Sequence, residues 1–252
     1  MSVFMTMDLR SAKLELKLIV AKTSKRLGIN DTLAKSAWNP KHVDLPPGSK
    51  MLVISPHPDD DAIGAGGTII KMLVGGLKVR VVYLSMPSKD SPGREERMKE
   101  ALSALEIMGV EDFLIPEGEL PEAGLLRDIM VKEMREFAPD VVFVPSPLEN
   151  HDQHLLAFSA YLEALKLVGE VDTALYEVWG TVIPNMVVDI SAQAQKKAQA
   201  IAAHASQVRK VDYVNMAQGL NQYRAISCGG SGQAEAFLFL SKKEMLGAFG
   251  RK

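Results

Sequence analysis

The chain has 252 residues, 47% hydrophobic and 24% charged, which suits one large α/β domain or a domain with a small appendage. With 29 basic against 31 acidic residues the formal net charge is -2, which gives no reason to expect general nucleic-acid binding or a polybasic membrane contact. The single cysteine, Cys228, excludes an internal disulfide and fits a reducing cytoplasm.

Residues 1–49 read as an N-terminal helical extension. Leu9, Leu14, Leu16, Leu18, Ile19 and Val20 lie among charges and predict one amphipathic helix. Asp8, Arg10, Lys13, Glu15 and Lys17 break up any signal-peptide core, and no apolar run approaches the roughly 20 residues of a membrane span. The extension reads either as a helix packed on the flank of the domain or as an oligomer contact. Asn39-Pro40 and Pro46-Pro47-Gly48 punctuate it, and the domain proper, 50–252, follows.

From Lys50 the pattern alternates. Strands are expected at 51–55, 78–85, 112–115 and 140–144, with helices at about 65–75, 93–108 and 123–136. A helix at about 153–168, strands at 174–179 and 185–190, a helix at about 191–208 and a strand at 236–240 complete the series. This is the pattern of an α/β fold: a three-layer, Rossmann-like, mostly parallel sheet with helices on both faces.

Two clusters carry the chemistry. Pro56-His57-Pro58-Asp59-Asp60-Asp61 follows the first domain strand, and His151-Asp152-Gln153-His154 follows the fourth. In open α/β sheets ligands bind beyond the carboxyl ends of the strands, so both clusters are expected at one edge. Catalytic zinc takes three protein ligands and leaves a position for water. His57, Asp60 and His154 supply such a set, with Asp59 beside it as general base on the zinc-bound water. His151 is then free to stabilise an oxyanion or protonate a leaving amine. Asp61 reads equally well as a helix cap. Gly64-Ala65-Gly66-Gly67 lacks the spacing of a nucleotide loop and reads as small residues for close helix-to-strand packing.

Pro56-His57-Pro58-Asp59-Asp60 resembles the signature of the LmbE-like (PIG-L) zinc N-deacetylases, usually His-Pro-Asp-Asp-Glu before a Gly-rich helix start. Arg97-Met98-Lys99-Glu100-Ala101, the His151/His154 pair, Lys197 with His204-Ala205-Ser206-Gln207, and Glu235-Ala236-Phe237 resemble later family segments in the family's order. The resemblance implies that His57, Asp60 and His154 hold zinc and that Asp59 is the base. It links His151 to the oxyanion and leaving group, and Arg97 to substrate; Arg97 also reads as part of a solvated helix face. Two positions depart from the pattern. Asp61 stands where Glu is usual, and Gln153 where Asp is frequent, a change expected to weaken His151.

The expected activity is removal of an N-acetyl group from an amino sugar or its conjugate, a small-molecule substrate. A non-sugar or thiol-conjugated amide, and a catalytically weakened metal-binding relative, are the rival readings. Zinc is the expected cofactor, although the same ligands accept Fe2+ or Co2+. Trp179 and Tyr176 are candidates to stack on a sugar, although Trp179 reads more readily as core, and residues 85–93 are expected to form the pocket rim. Family members are often homo-oligomers.

Overall fold

The runs rich in Val, Ile, Leu and Phe become strands because each can be buried on both sides. In the computed structural model, which describes residues 40–250, β2 (Lys50–Ser55) alternates its side chains between two cores. Met51 and Val53 point into one and Leu52 and Ile54 into the other, all fully buried.

Eight strands form one sheet in the order β1-β7-β8-β6-β5-β2-β3-β4. The others are β1 (Lys41–Val43), β3 (Lys78–Tyr83), β4 (Asp112–Leu114), β5 (Val141–Pro145), β6 (Asp172–Tyr176), β7 (Met186–Asp189) and β8 (Ala234–Leu240). All pairings are parallel except those of β8, which runs antiparallel to both β6 and β7. Helices α1 (Asp60–Val74), α2 (Arg94–Met108), α5 (Ala194–Ala203) and α7 (Tyr213–Ser227) contribute to the core on one face. Helices α3 (Ala123–Phe137), α4 (Asp152–Lys166) and α8 (Lys242–Phe249) contribute to the other. A short α6 (Ala205–Val208) follows α5.

The expected α/β architecture is present. The chain steps from β2 to β3 to β4 on one side, then returns to lay β5 against the opposite edge of β2. The connections after β2 and β5 therefore diverge at a topological switch point, where such sheets open a crevice.

Several boundaries differ from expectation. The first domain helix starts at Asp60, not near 65, so the acidic cluster is its first turn. The helix expected over 191–208 is interrupted at His204, whose ψ of 54° leaves the helical region. Residues 40–49, counted with the extension, supply β1, which pairs with β7. Three exposed or half-buried residues between proline-rich breaks carry too little periodicity to signal an edge strand. The amphipathic helix expected earlier in the extension lies outside the described residues. No helix among the described residues is long and apolar enough to cross a membrane.

The small residues of α1 pack as expected. A Cβ on Gly64 would collide with the Tyr176 ring, and one on Gly67 would come within 2.6 Å of Ile190. Bare backbone here brings α1 down onto the sheet, directly behind the acidic first turn.

Candidate active site

The turn 56–59 leads from β2 into α1, and the loop 146–151 leads from β5 into α4, so two helix N-termini meet at the switch point. The Asp60 carboxylate turns back to accept the His57 backbone N–H at 2.9 Å. Asp60 Oδ2 lies 3.1 Å from His57 Nδ1 and 3.1 Å from His154 Nε2, and the two ring nitrogens are 3.2 Å apart. Burial alone would raise the Asp60 pKa, but His154 and His57 outweigh it and hold the carboxyl far below its ordinary range. Burial opposes charge on His154, yet Asp60 and Glu149 push its pKa up to about 10.

These three atoms fit a metal. Donors bound tetrahedrally to one zinc at 2.0–2.2 Å stand roughly 3.3–3.6 Å apart, within a few tenths of an ångström of the spacings here. His57, His151 and His154 form a wider set, with ligand atoms all within 4.8 Å of one another. The tighter set of His57, Asp60 and His154 includes an anionic member, which would neutralise a cation. His151 stands at the extended residue before α4, its ring 4.9 Å from those of His57 and His154. Burial, then His57 and His154, lower its pKa.

Asp59 is buried beside the cluster. Burial, followed by the Asp60 charge, pushes its pKa up to about 6, while Arg97 at 3.6 Å opposes the rise. Arg97, expected on substrate or on a solvated face, is itself buried. It donates to the Pro58 carbonyl at 3.2 Å and pairs with Glu100 at 3.4 Å. Glu100 in turn accepts from the Ser206 N–H and hydroxyl. Asp61 makes no cap: it is fully buried and accepts from the Tyr83 hydroxyl at 3.1 Å. Tyr176 is fully buried, its hydroxyl on the Ile54 carbonyl, so it faces no substrate.

Gln153 acts elsewhere than expected. Its Oε1 lies 2.5 Å from His57 Nε2, not against His151. With the amide oxygen accepting, Nε2 carries the hydrogen and Nδ1 keeps its lone pair toward the cluster. The expected weakening of His151 therefore has no contact behind it. Glu149 joins the site without a signal in the sequence. It is enclosed, with Oε2 3.3 Å from His154 Nδ1. A glutamate in a loop of Pro and Asn stays mute until the fold shows which imidazole it meets.

A cavity of about 820 Å³ opens over the cluster. His57, Asp59, Asp60, Arg97, His151 and Gln153 line its floor, and Ser85, Met86, Pro87, Ser91 and Gly93 contribute from the expected rim. Trp179, 40% exposed, lines it together with Tyr213, the two rings 5.5 Å apart and edge to face. Tyr213 had no sequence signal, being one aromatic at a helix start.

The family model for PIG-L, described as GlcNAc-PI de-N-acetylase, matches residues 52–165, from β2 to α4. A diacetylchitobiose deacetylase of Thermococcus kodakarensis is 34% identical over 188 residues, 63% of this chain and 70% of that protein. Among solved structures, the N,N'-diacetylchitobiose deacetylase of Pyrococcus horikoshii superposes with a TM-score of 0.67 at 26% identity, covering 78% of this chain and 85% of that one. The conserved protein TT1542 of Thermus thermophilus gives 0.64 at 28% identity, covering 75% and 93%. Fold, motif order and overall identity agree, and the chain belongs to the PIG-L family.

Proposed function

We propose that this protein is a metal-dependent deacetylase that hydrolyses the N-acetyl group of an amino sugar or its conjugate. The observation that carries the reading is the convergence of His57 Nδ1, Asp60 Oδ2 and His154 Nε2 to within 3.2 Å of one another, beside a separate buried carboxylate, Asp59. The family membership and the deacetylase activity named for the relatives support it.

His57, Asp60 and His154 would hold a divalent ion, zinc foremost, which as a Lewis acid polarises the amide carbonyl and acidifies water. Asp59 accepts the proton of the attacking water. Arg97 holds Asp59 in place while itself fixed by the Pro58 carbonyl and Glu100. His151, in reach of the same space, donates a hydrogen bond to the developing oxyanion, and the proton taken up by Asp59 passes to the departing amine. Acetate and a free amino sugar result. Trp179 and Tyr213 offer the sugar an aromatic wall.

The test is primary-amine release from N-acetylglucosamine, its disaccharide and simple glycosides, with zinc-reconstituted wild type beside Asp59→Asn. Release by the wild type and a loss of roughly 10²- to 10⁴-fold in the variant, with zinc retained, is the expected outcome. Near-normal turnover in the variant removes Asp59 from its role. Absence of release from every sugar, by protein carrying its metal, removes the sugar deacetylase reading.

A further inference from the structure

Glu149 has no part in the mechanism above, yet its carboxylate takes three backbone amides and stands against the ring of His154. Oε1 accepts the backbone N–H of Val178 at 3.0 Å and of Gly180 at 3.1 Å. Oε2 accepts the N–H of Trp179 at 2.9 Å and faces His154 Nδ1 at 3.3 Å. A carboxylate has about four lone-pair sites, and the three amides take three of them. The side chain is completely enclosed. Such a group is retained in an interior only with compensating donors, and here three consecutive amides provide them, with the His154 ring within ion-pair distance.

The two ends of this arrangement belong to different parts of the site. His154 offers its other nitrogen to the metal cluster. Residues 178–180 carry Trp179, the exposed wall of the cavity. The two backbones lie in contact, and a Cβ on Gly180 would collide with the Leu148 carbonyl oxygen. Charge points the same way. A divalent ion with Asp60 as its one anionic ligand keeps a net positive charge, and the buried carboxylate behind His154 offsets it.

We infer that Glu149 is a positioning residue that couples the metal ligand His154 to the substrate wall at Trp179. It holds the hydrogen of His154 on Nδ1, so that Nε2 presents its lone pair to the cluster. With the same carboxylate it clamps the segment that carries Trp179. This rests on the metal reading proposed above, and the experiment separates the two.

Zinc affinity of the full chain is measured by competition with a chromophoric chelator, for wild type, Glu149→Gln and Gly180→Ala. A glutamine offers one oxygen and one NH2, so whichever way it turns it sets donor against donor. Glu149→Gln is expected to weaken zinc binding roughly 10- to 100-fold. Gly180→Ala, which touches no ligand, is expected to weaken it in the same direction by prising the amide trio from the carboxylate. The chain has two tryptophans, so a Trp38→Phe background leaves Trp179 as sole reporter. Its emission should change as zinc is added, and in Glu149→Gln it should not.

If Glu149→Gln fails to fold, Gly180→Ala and the emission of the Trp38→Phe protein decide the matter. Zinc affinities equal to wild type in the folded variants overturn the positioning role alone. Trp179 emission indifferent to zinc overturns the coupling. A wild type that binds no zinc overturns the metal reading, and this inference with it.

Discussion

Removing the charge of Lys197 should destabilise the whole domain, although the residue lies outside the catalytic cluster. Its Nζ is 2.7 Å from Glu235 Oε1, and the two side chains are 3% and 1% exposed. Nζ also donates to Asn221 Oδ1 at 2.9 Å, while the Glu235 carboxylate accepts the N–H groups of Gly67 and Thr68, each at 2.8 Å. One buried pair thus ties α5, α7, α1 and β8 together. Lys197→Met keeps the apolar stem and leaves a carboxylate in the core without counter-charge. Losing one partner of a buried pair costs about 3–5 kcal/mol, and the two retained amide donors put this case near 3. Glu235→Gln strands an ammonium and turns an NH2 against one of the two amides, which puts it at about 4–5 kcal/mol. The double variant removes both charges and keeps only that misdirected amide, about 1–3 kcal/mol, so it should be more stable than Glu235→Gln alone and far short of additive. Urea denaturation followed by circular dichroism measures all three. At about 2–4 °C per kcal/mol for a domain of this size, Lys197→Met should lower Tm by about 6–12 °C. A loss below about 1 kcal/mol, the value of a surface pair, refutes the reasoning, as does strict additivity in the double variant.

Other consequences are as direct. Gln153→Leu takes the acceptor from His57 Nε2 and should weaken zinc binding by roughly tenfold or more, while Gln153→Glu, with its added charge, should strengthen it; chelator competition that finds both unchanged shows that His57 needs no such anchor. Neither ring nitrogen of His204 has a hydrogen-bond partner among the described residues, and burial, then Arg97, pushes its pKa down to about 3. The unfolded chain takes up this proton below about pH 6.5 and the folded chain only near 3, so stability is lost as pH falls through that window. His204→Leu should therefore lose less stability between pH 7 and 4.5 than wild type, read as urea midpoints; parallel curves contradict it. In Gly64→Ala the added methyl meets the Tyr176 ring and the Glu177 carbonyl oxygen. Overpacking of about 1–3 kcal/mol exceeds the gain of up to about 1 from helix propensity, so the melting temperature should fall, and a rise would show that the ring yields.

What the sequence disclosed follows the range of the interactions. Burial on both faces of β2, β3 and β5 leaves runs such as Met51–Ile54 that need no neighbour to be recognised. The convergence of His57, Asp60 and His154 was legible because each follows a strand end and the alternation brings those ends together. Glu149 was not legible, because its meaning depends on a loop about thirty residues later in the chain. Gln153 pairs with a different imidazole from the one its sequence position suggests, since neighbours in the first turn of a helix point to different sides of it. Arg97 and Glu100 were visible as charges on one helix, but only packing against Pro58 and Ser206 turns them inward. The neighbours of β8 were likewise hidden: an apolar run does not say between which strands it will lie.

That interior seat of β8 governs the order in which the molecule can be completed. β5, β2, β3 and β4 can pair as soon as they leave the ribosome, and β6 can join them. β7, made next, has no place beside β6, because residues 234–240 must first occupy the gap. Until then β6 presents an open edge, β1 and β7 have no link to the rest of the sheet, and Lys197 waits in α5 for the carboxylate of Glu235. Interruption of synthesis before residue 240 leaves not a shortened domain but a sheet parted in its middle, with both raw edges free to seek another chain.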